Sequence, residues 1–459
     1  MTAIAPEIFK AYDIRGIVDR TLTEAAAEAI GKGLGTLGYR NGVKRFVVGR
    51  DGRLSGPKLV RALSRGLTAA GMDVTDIGVV ATPMMYFATH HFKTGSGVMV
   101  TGSHNPPEYN GLKMMVAGDT LAAEAIQDLR RLVESGDFAT GGGSVEPANI
   151  ADAYVERITS DVKLARPMTI AIDCGNGSPG AYAPRLFRKL GCEVIELYCE
   201  VDGTFPNHHP DPSKPENLKD LIATLESSPA ELGLAFDGDG DRLGVVTKSG
   251  RIIFPDRQLM LFARDVLARN PGGEIIFDVK STRNLFAWIR KHGGKPLLWK
   301  TGHSLIKSKL KETGAPLAGE MSGHIFFKDR WYGFDDGLYA GARLLEILSR
   351  TDNASRELEA LPDSISTPEL NIPLAREGEN HALIADLQKS ARFEGAKEII
   401  TIDGLRVEYP DGFGLMRASN TTPVIVLRFE ADSDAALARI RDDFKRVLQK
   451  ARPELSIPA

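Results

Sequence analysis

Three stretches of this chain repeat one pattern. FVVGRDGRLSGPKLVRALSRGLTAAGMDVTDIG from Phe46, TIAIDCGNGSPGAYAPRLFRKLGCEVIELY from Thr169 and IIFDVKSTRNLFAWIRKHGGKPLLWK from Ile275 each read as strand, polar turn, helix, glycine near the helix end, strand. Continuous β-branched runs mark buried strands, and a helix between two of them makes a crossover unit whose strands lie parallel. The pattern therefore predicts three similar α/β domains with mixed, largely parallel sheets. One large doubly wound sheet would show the same alternation. Glycine- and proline-rich breaks at GDFATGGGSVEPAN (136–149) and Phe254-Pro255-Asp256 favour separate units.

The last part of the chain differs. After LPDSISTPELNIPL, a helix-like run from His381 to Phe393 precedes EIITIDGLRVEYPDGFGLMRASNTTPVIVLRFEA and an amphipathic run from Asp434 to Ala451. Ile402-Asp403-Gly404-Leu405 and Tyr409-Pro410-Asp411-Gly412 read as hairpin turns, so a C-terminal α+β domain with antiparallel strands is expected. At 459 residues the chain is too long for one core. The expected division is 1–150, 151–255, 256–367 and 368–459.

Composition narrows the class. With 42% hydrophobic residues, 25% charged residues and a net charge of -3, the chain has no electrostatic footprint for nucleic acid or an anionic membrane. Its three cysteines, Cys174, Cys192 and Cys199, are odd in number and form no CxxC, against both a disulfide framework and a zinc knuckle. A reducing cytoplasm is the expected compartment. No basic region followed by an apolar run opens the chain, and no segment approaches the ~18 apolar residues of a membrane span.

Four segments carry chemistry. In GVMVTGSHNPPEYNGLK (97–113) the apolar Val98 to Val100 run into Gly102-Ser103-His104-Asn105 and then Pro106-Pro107, which places Ser103 on a tight, exposed turn at a strand end. Such a turn holds a hydroxyl where a ligand can reach it, and its successive amides can hold an anion. Asp237-Gly238-Asp239-Gly240-Asp241-Arg242 follows the apolar run Leu232 to Phe236. Three carboxylates at alternate positions, with glycines that let the loop fold tightly, can converge on one hard cation. A calcium EF-hand fails, because positions 6 and 12 from Asp237 are Arg242 and Lys248 rather than Gly and Glu. Oxygen-only ligation beside an arginine points to Mg²⁺ serving a phosphate, with a solvated acidic turn as the plain alternative.

Gly319-Glu320-Met321-Ser322-Gly323-His324, with Lys300-Thr301-Gly302-His303 upstream, offers an acceptor and a hydroxyl to neighbouring sugar hydroxyls. Arg417-Ala418-Ser419-Asn420-Thr421-Thr422-Pro423 sets a guanidinium beside hydroxyl and amide side chains, a combination suited to phosphate oxygens, although a hairpin turn with an incidental arginine reads the same way. Lys10-Ala11-Tyr12-Asp13-Ile14-Arg15-Gly16 adds a tyrosine and another arginine.

TGSHNPPEYNGLK, DGDGDR, GEMSGH and RASNTTP, in this order and one per expected domain, resemble the four signature loops of the α-D-phosphohexomutases, most closely the bacterial phosphomannomutase/phosphoglucomutase group. The resemblance spans essentially the whole chain and implies four domains around a central cleft. It makes Ser103 the phosphoserine, with Asp237, Asp239 and Asp241 holding Mg²⁺ together with a seryl phosphate oxygen, and Arg242 a second cation. It makes Lys113 the candidate for proton movement, which requires a lowered pKa, with His303 second. Glu320 and Ser322 would grip sugar hydroxyls, Tyr12, Arg15, Lys280 and His324 would line the cleft, and Arg417, Ser419, Asn420 and Thr421 would clamp the phosphate that is not reacting.

The implied reaction moves a phosphoryl group between O1 and O6 of a hexose, mannose or glucose, through a hexose 1,6-bisphosphate that also serves as activator. Phosphoglucosamine mutase shares the plan, and Met321 leans away from it by resemblance. A Mg²⁺-dependent sugar phosphatase would use the same serine and metal. A non-catalytic sugar-phosphate sensor would not need Ser103, Lys113 and three aspartates together. The oligomeric state is not legible.

Overall fold

In the computed structural model, which describes residues 4–376 and 378–458, each repeated stretch folds as one crossover unit. Strands Arg45–Arg50 and Asp73–Val79 flank helix Gly56–Ala69, Met168–Asp173 and Cys192–Leu197 flank Ala183–Lys189, and Glu274–Asp278 and Lys295–Trp299 flank Asn284–Lys291. All three strand pairs are parallel. Pro57 and Pro184 lie in the first turns of their crossover helices, and Pro255 opens a further helix, Pro255–Arg269, where the missing N–H has no partner to lose.

The first sheet runs in the order Ile14–Ile17, Tyr109–Val116, Gly97–Val100, Arg45–Arg50, Asp73–Val79, Val145–Pro147. It is parallel except where Tyr109–Val116 pairs with its neighbours. The glycine-rich break at 136–149 is therefore more than a linker, since Val145–Pro147 pairs along the edge of this sheet. The second sheet runs Ile252–Ile253, Leu243–Thr247, Leu232–Phe236, Met168–Asp173, Cys192–Leu197, and the third Lys295–Trp299, Glu274–Asp278, Leu317–Gly319, Ile325–Phe327. Both are mixed: parallel strands end in an antiparallel edge. The fourth sheet is antiparallel, built on Glu398–Ile400, Leu405–Tyr409, Gly412–Ala418 and Val424–Ala431, with Ile365–Ser366 and Leu370–Pro373 both paired to Val424–Ala431. Helices Glu379–Ser390 and Asp434–Ala451 pack on it.

One continuous apolar core runs through residues of the first three sheets and their helices, from Val47 through Phe236 and Phe262 to Leu361. The C-terminal unit has its own core. It meets the third through a small apolar cluster, Val279 and Leu298 against Ile402, Phe413 and Leu415, flanked by polar ties: Arg406 donates to Val279 O and Ser281 O, both at 2.7 Å, Arg428 pairs with Asp256 at 3.1 Å, and Thr282 Oγ1 donates to Glu430 at 2.8 Å. Interfaces of this mixed polar and apolar kind join units that can move against one another. Among the described residues no helix is long and apolar enough to cross a membrane.

Ser103, Asp237 and Glu320 each follow the carboxyl end of a strand, Gly97–Val100, Leu232–Phe236 and Leu317–Gly319, where open α/β sheets place their ligands.

Candidate active site

The four signature segments meet at one cleft of about 1260 Å³, lined by Tyr12, Arg15, Ser103, Lys113, Arg242, Lys280, His303, Glu320, Ser322, His324, Arg417, Ser419, Asn420 and Thr421. Asp237, Asp239 and Asp241 lie fully buried beside it.

Ser103 occupies a left-handed backbone conformation, φ 50°, uncommon for a residue with a Cβ. Contrary to the expected exposed turn, it is buried, because the loop is gripped from below. The guanidinium of Arg53, itself buried, donates to the carbonyls of Ser103 at 2.9 Å, Asn105 at 2.5 Å, Pro106 at 2.6 Å and Tyr109 at 3.0 Å. Asp51 holds that arginine at 3.2 Å and accepts from Thr101 Oγ1 at 2.8 Å and Gly102 N at 3.1 Å. A Cβ on Gly102 would stand 2.4 Å from the guanidinium carbon, so only glycine fits. Above the turn, Ser103 Oγ donates to Asp237 Oδ2 at 3.0 Å and lies 3.1 Å from His104 Nδ1. The backbone of the Asp237 to Asp241 loop presses directly on the serine loop: a Cβ on Gly238 would fall 2.5 Å from Ser103 O.

The three aspartates can place one oxygen each within 4.8 Å of one another. Asp239 Oδ2 accepts from Thr82 Oγ1 at 2.5 Å, Thr101 Oγ1 at 3.1 Å and Lys113 Nζ at 2.8 Å, and Lys113 also pairs with Asp241. The remaining oxygens, Asp239 Oδ1 and Asp241 Oδ1, are buried without a partner. Orphaned carboxylate oxygens in a tight all-oxygen set fit a small hard dication. Burial and then the Asp239 and Asp241 charges push the Asp237 carboxyl well up, whereas Lys113 holds Asp239 down despite its burial.

Lys113 corrects an expectation. Burial alone would lower its pKa, but Asp239 and Asp241 raise it well above the usual lysine value. Beside these two carboxylates Lys113 holds its proton, so the lowered pKa that the resemblance requires is not seen.

A second acidic group, Asp241, His324 and Asp335, also lies within ligating distance. It does not fit a metal. Arg242 Nε, which can only donate, reaches His324 Nε2 at 3.0 Å, so the imidazole proton sits on Nδ1, 3.0 Å from Asp335 Oδ2. The same reasoning applies to His303. Lys307 Nζ reaches its Nδ1 at 3.2 Å, which assigns the proton to Nε2, and burial followed by the Lys307 charge keeps the ring neutral. His303 Nε2 is buried without a partner. His303 therefore offers a donor rather than a base.

Glu320 Oε1 accepts from Gly302 N at 2.6 Å, and Oε2 is buried unpartnered. Burial raises its carboxyl to about 7. Ser322 is half-buried beside it. At the C-terminal wall Arg417 Nε pairs with Asp403 at 3.0 Å, leaving one buried guanidinium nitrogen free of partners. Lys280 reaches Glu369 at 3.0 Å, and Arg15 bridges Asp13 at 2.6 Å and Asn105 at 2.5 Å. The turn Ser419 to Thr422 is braced by buried Asn380, whose Nδ2 lies within 3.3 Å of the Ser419, Thr422 and Val424 carbonyls. Tyr12 stands edge-on to His303, ring centroids 5.2 Å apart.

Among the described residues the cleft thus gathers unpartnered polar atoms on Asp239, Asp241, His303, Glu320 and Arg417. Such a collection is completed by a polar, anionic ligand. The sequence reading missed Arg53, Asp51, His104, Asp335, Lys307 and Asn380. Of these, the run Arg50-Asp51-Gly52-Arg53 after a strand, and Lys307 one helical turn after His303, carried a local signal.

Comparison with known proteins agrees. Phosphoglucomutase/phosphomannomutase alpha/beta/alpha domains I, II and III match residues 6–140, 152–250 and 254–365, and the C-terminal domain of that family matches 369–447. A phosphoglucomutase of Neisseria gonorrhoeae is 62% identical, with all of both chains covered. A phosphomannomutase/phosphoglucomutase of Pseudomonas aeruginosa PAO1 is 57% identical over 100% of this chain and 99% of its own. A solved phosphoglucomutase/phosphomannomutase family protein from Burkholderia thailandensis superposes with a TM-score of 0.95 at 59% identity, covering both chains fully. The chain belongs to the phosphoglucomutase/phosphomannomutase family. It is a phosphohexomutase.

Proposed function

We propose that this enzyme interconverts the 1-phosphates and 6-phosphates of glucose and mannose, with Ser103 carrying the phosphoryl group between turnovers. The observation that carries the reading is Ser103 Oγ, 3.0 Å from Asp237 in a cleft that Arg417 also lines. Asp237, Asp239 and Asp241 would hold Mg²⁺, which when bound neutralises charge on the phosphoryl group.

The chain's own groups do the rest. Arg53 and Asp51 fix the Ser103 backbone, so Oγ meets the substrate hydroxyl in one geometry. Arg242 and the Lys113 ammonium lie beside the metal loop as fixed positive charges for the transferring group. Arg417, with Ser419, Asn420 and Thr421, holds the phosphate that is not reacting. Glu320 and Ser322 accept and donate to sugar hydroxyls, and His303 Nε2 donates to a sugar oxygen. In a loose transition state the attacking hydroxyl loses its proton late, so positioning and charge outweigh a strong base.

The phosphoryl group leaves Ser103 for the free sugar hydroxyl, forming a 1,6-bisphosphate and a free serine hydroxyl. The bisphosphate turns round, and its other phosphate returns to Ser103. The mixed polar and apolar junction between the third and C-terminal units suits a domain that opens for that turn and closes to exclude water. The division into 1–150, 151–255, 256–367 and 368–459 is part of the same proposal, and the substrates are sugar phosphates rather than macromolecules.

Incubation with glucose 1-phosphate or mannose 1-phosphate, Mg²⁺ and a trace of hexose 1,6-bisphosphate tests it. The 6-phosphate is expected. Release of inorganic phosphate instead would mean a phosphatase, no product a sensor, and a preference for glucosamine phosphates the amino-sugar mutase.

A further inference from the structure

We propose that Cys174 and Cys199 form a reversible disulfide site, oxidised by peroxide, that sets the position of the Asp237 to Asp241 loop.

The two thiols are neighbours in space, though distant in sequence, with sulfurs 3.6 Å apart. Cys174 follows strand Met168–Asp173 and Cys199 lies just beyond Cys192–Leu197, parallel strands whose last paired residues are Asp173 and Leu197. Cys174 N donates to Leu197 O at 3.2 Å and Asn176 N to Tyr198 O at 2.8 Å, so the two chain ends stay side by side past the sheet. A disulfide needs its sulfurs about 2.05 Å apart, so closure requires only about 1.5 Å of approach. Cys174 is fully buried and Cys199 half-buried, so a reagent from solvent meets Cys199 first. Cys192 is buried within its strand, and its thiol is pushed up to about 12 by burial, as that of Cys174 is pushed up by its contact with Cys199 and by burial; lying outside the Cys174–Cys199 sulfur pair, it is the internal control.

The turn after Cys174 leads directly to the metal loop. Gly177 N donates to Cys174 O at 2.7 Å, and Ser178 donates to Gly238 O through its amide at 3.0 Å and its hydroxyl at 3.3 Å. There is no slack on either side. A Cβ on Gly177 would lie 2.7 Å from Gly238 O, and one on Gly180 would lie 2.1 Å from Cys199 O. Drawing Cys174 toward Cys199 therefore pulls on Gly238, between Asp237 and Asp239.

The chemistry balances with peroxide as oxidant. The Cys199 thiolate attacks one peroxide oxygen, the O–O bond breaks, and the leaving hydroxide takes up a proton as water. The Cys174 sulfur then attacks the Cys199 sulfenic sulfur, the S–O bond breaks, and the departing hydroxide takes the Cys174 proton as a second water. A dithiol reductant reverses the bond.

The effect on the loop rests on the proposed metal role of the aspartates, whereas the cross-link does not, so each is read separately. Full-length protein is treated with hydrogen peroxide, and peptides, titratable thiols and Mg²⁺-dependent melting temperature are measured. The expected product is about 2 Da lighter, carries a peptide linked through Cys174 and Cys199, and keeps only the Cys192 thiol. Half-saturating Mg²⁺, read from the melting shift, should rise roughly threefold or more and recover with dithiothreitol. Cys199→Ser should show neither change, and Cys192→Ser both. Three remaining thiols, a Cys199 sulfinic acid without cross-link, or a cross-link with unchanged Mg²⁺ dependence would overturn the proposal. A protein whose melting ignores Mg²⁺ even when reduced would overturn the metal reading and with it the effect on the loop.

Discussion

The Arg53 guanidinium donates to the Ser103 carbonyl at 2.9 Å, and through the same planar head to three further carbonyls of that loop. A residue in a left-handed conformation persists only where its surroundings over-determine it. Arg53 supplies that determination from beneath the loop, on the side away from substrate.

Replacing Arg53 by lysine keeps the charge but not the fork that spans four acceptors. Several buried carbonyls lose their donor, at a cost of about 2–4 kcal/mol in urea unfolding. Activity should fall more than folding explains: kcat at least roughly tenfold lower with KM little changed, because the loop, not the sugar site, loosens. A proportional loss in kcat and KM would assign Arg53 elsewhere.

Much of this could be read from residues in order. The strand, helix and strand of each repeat stand where the periodicity of Phe46, Thr169 and Ile275 segments put them, and the terminal helix spans Asp434–Ala451 as its amphipathic run required. The four loops were legible because glycine, proline and charged residues cluster there against apolar strands. Two kinds of fact were not. Val145–Pro147 reads as linker because an edge strand needs no apolar face. The carboxylates that meet Lys113 and Ser103 come from a distant segment, so their protonation and burial were invisible, whereas Lys307 lies one helical turn after His303, within reach of helical spacing. Asp239 and Asp241 raise the pKa of a lysine expected to have it lowered, and Lys307 decides which nitrogen of His303 carries the proton.

Lys113→Met should expose the other side of that pairing. Two buried carboxylates lose their counter-charge, a change that costs about 3–5 kcal/mol for a buried pair. Without Mg²⁺ the variant should melt lower than the parent, and Mg²⁺ should raise its melting temperature by more, since no ammonium competes for Asp239 and Asp241. Scanning calorimetry with and without Mg²⁺ checks both, and equal Mg²⁺ shifts in the two proteins would contradict the shared site.

Glu320 gives a pH dependence. Burial raises its carboxyl to about 7, against 4.5 for an unperturbed glutamate. In the folded chain it binds a proton that the unfolded chain has released, so its contribution to stability is complete below 4.5 and is lost as pH rises through 7. Glu320→Gln should remove that loss and gain stability relative to the parent between pH 5 and pH 8, by of order 2 kcal/mol. Sugar binding has the opposite sign. An ionised Glu320 is the better acceptor, so KM should fall as pH rises from 6 to 8, by up to about tenfold. The substrate phosphate titrates near pH 6 on its own, so the Gln variant supplies the baseline and should show a flatter profile.

Arg417 and Glu320 should separate by anion competition. Arg417→Ala removes a charge-assisted clamp of ~1.5–3 kcal/mol and should raise KM and lower kcat together. Sulfate should then compete with substrate less well than in the parent. Glu320→Ala should leave sulfate competition about unchanged, because the carboxylate serves the sugar. Identical sulfate inhibition of the parent and the Arg417 variant would remove the C-terminal unit from phosphate binding.

The central claim is that Ser103 is the covalent carrier, and intact-mass analysis after brief exposure to glucose 1,6-bisphosphate and Mg²⁺ addresses it most directly. The account expects a species about 80 Da heavier, mapped by peptide fragmentation to Ser103, that disappears on adding glucose 1-phosphate as bisphosphate and then the 6-phosphate form in solution. Ser103→Ala should gain no mass and lose nearly all turnover while melting near the parent temperature. Wild-type turnover in the alanine variant, or a phosphoryl group mapped to another residue, would contradict it.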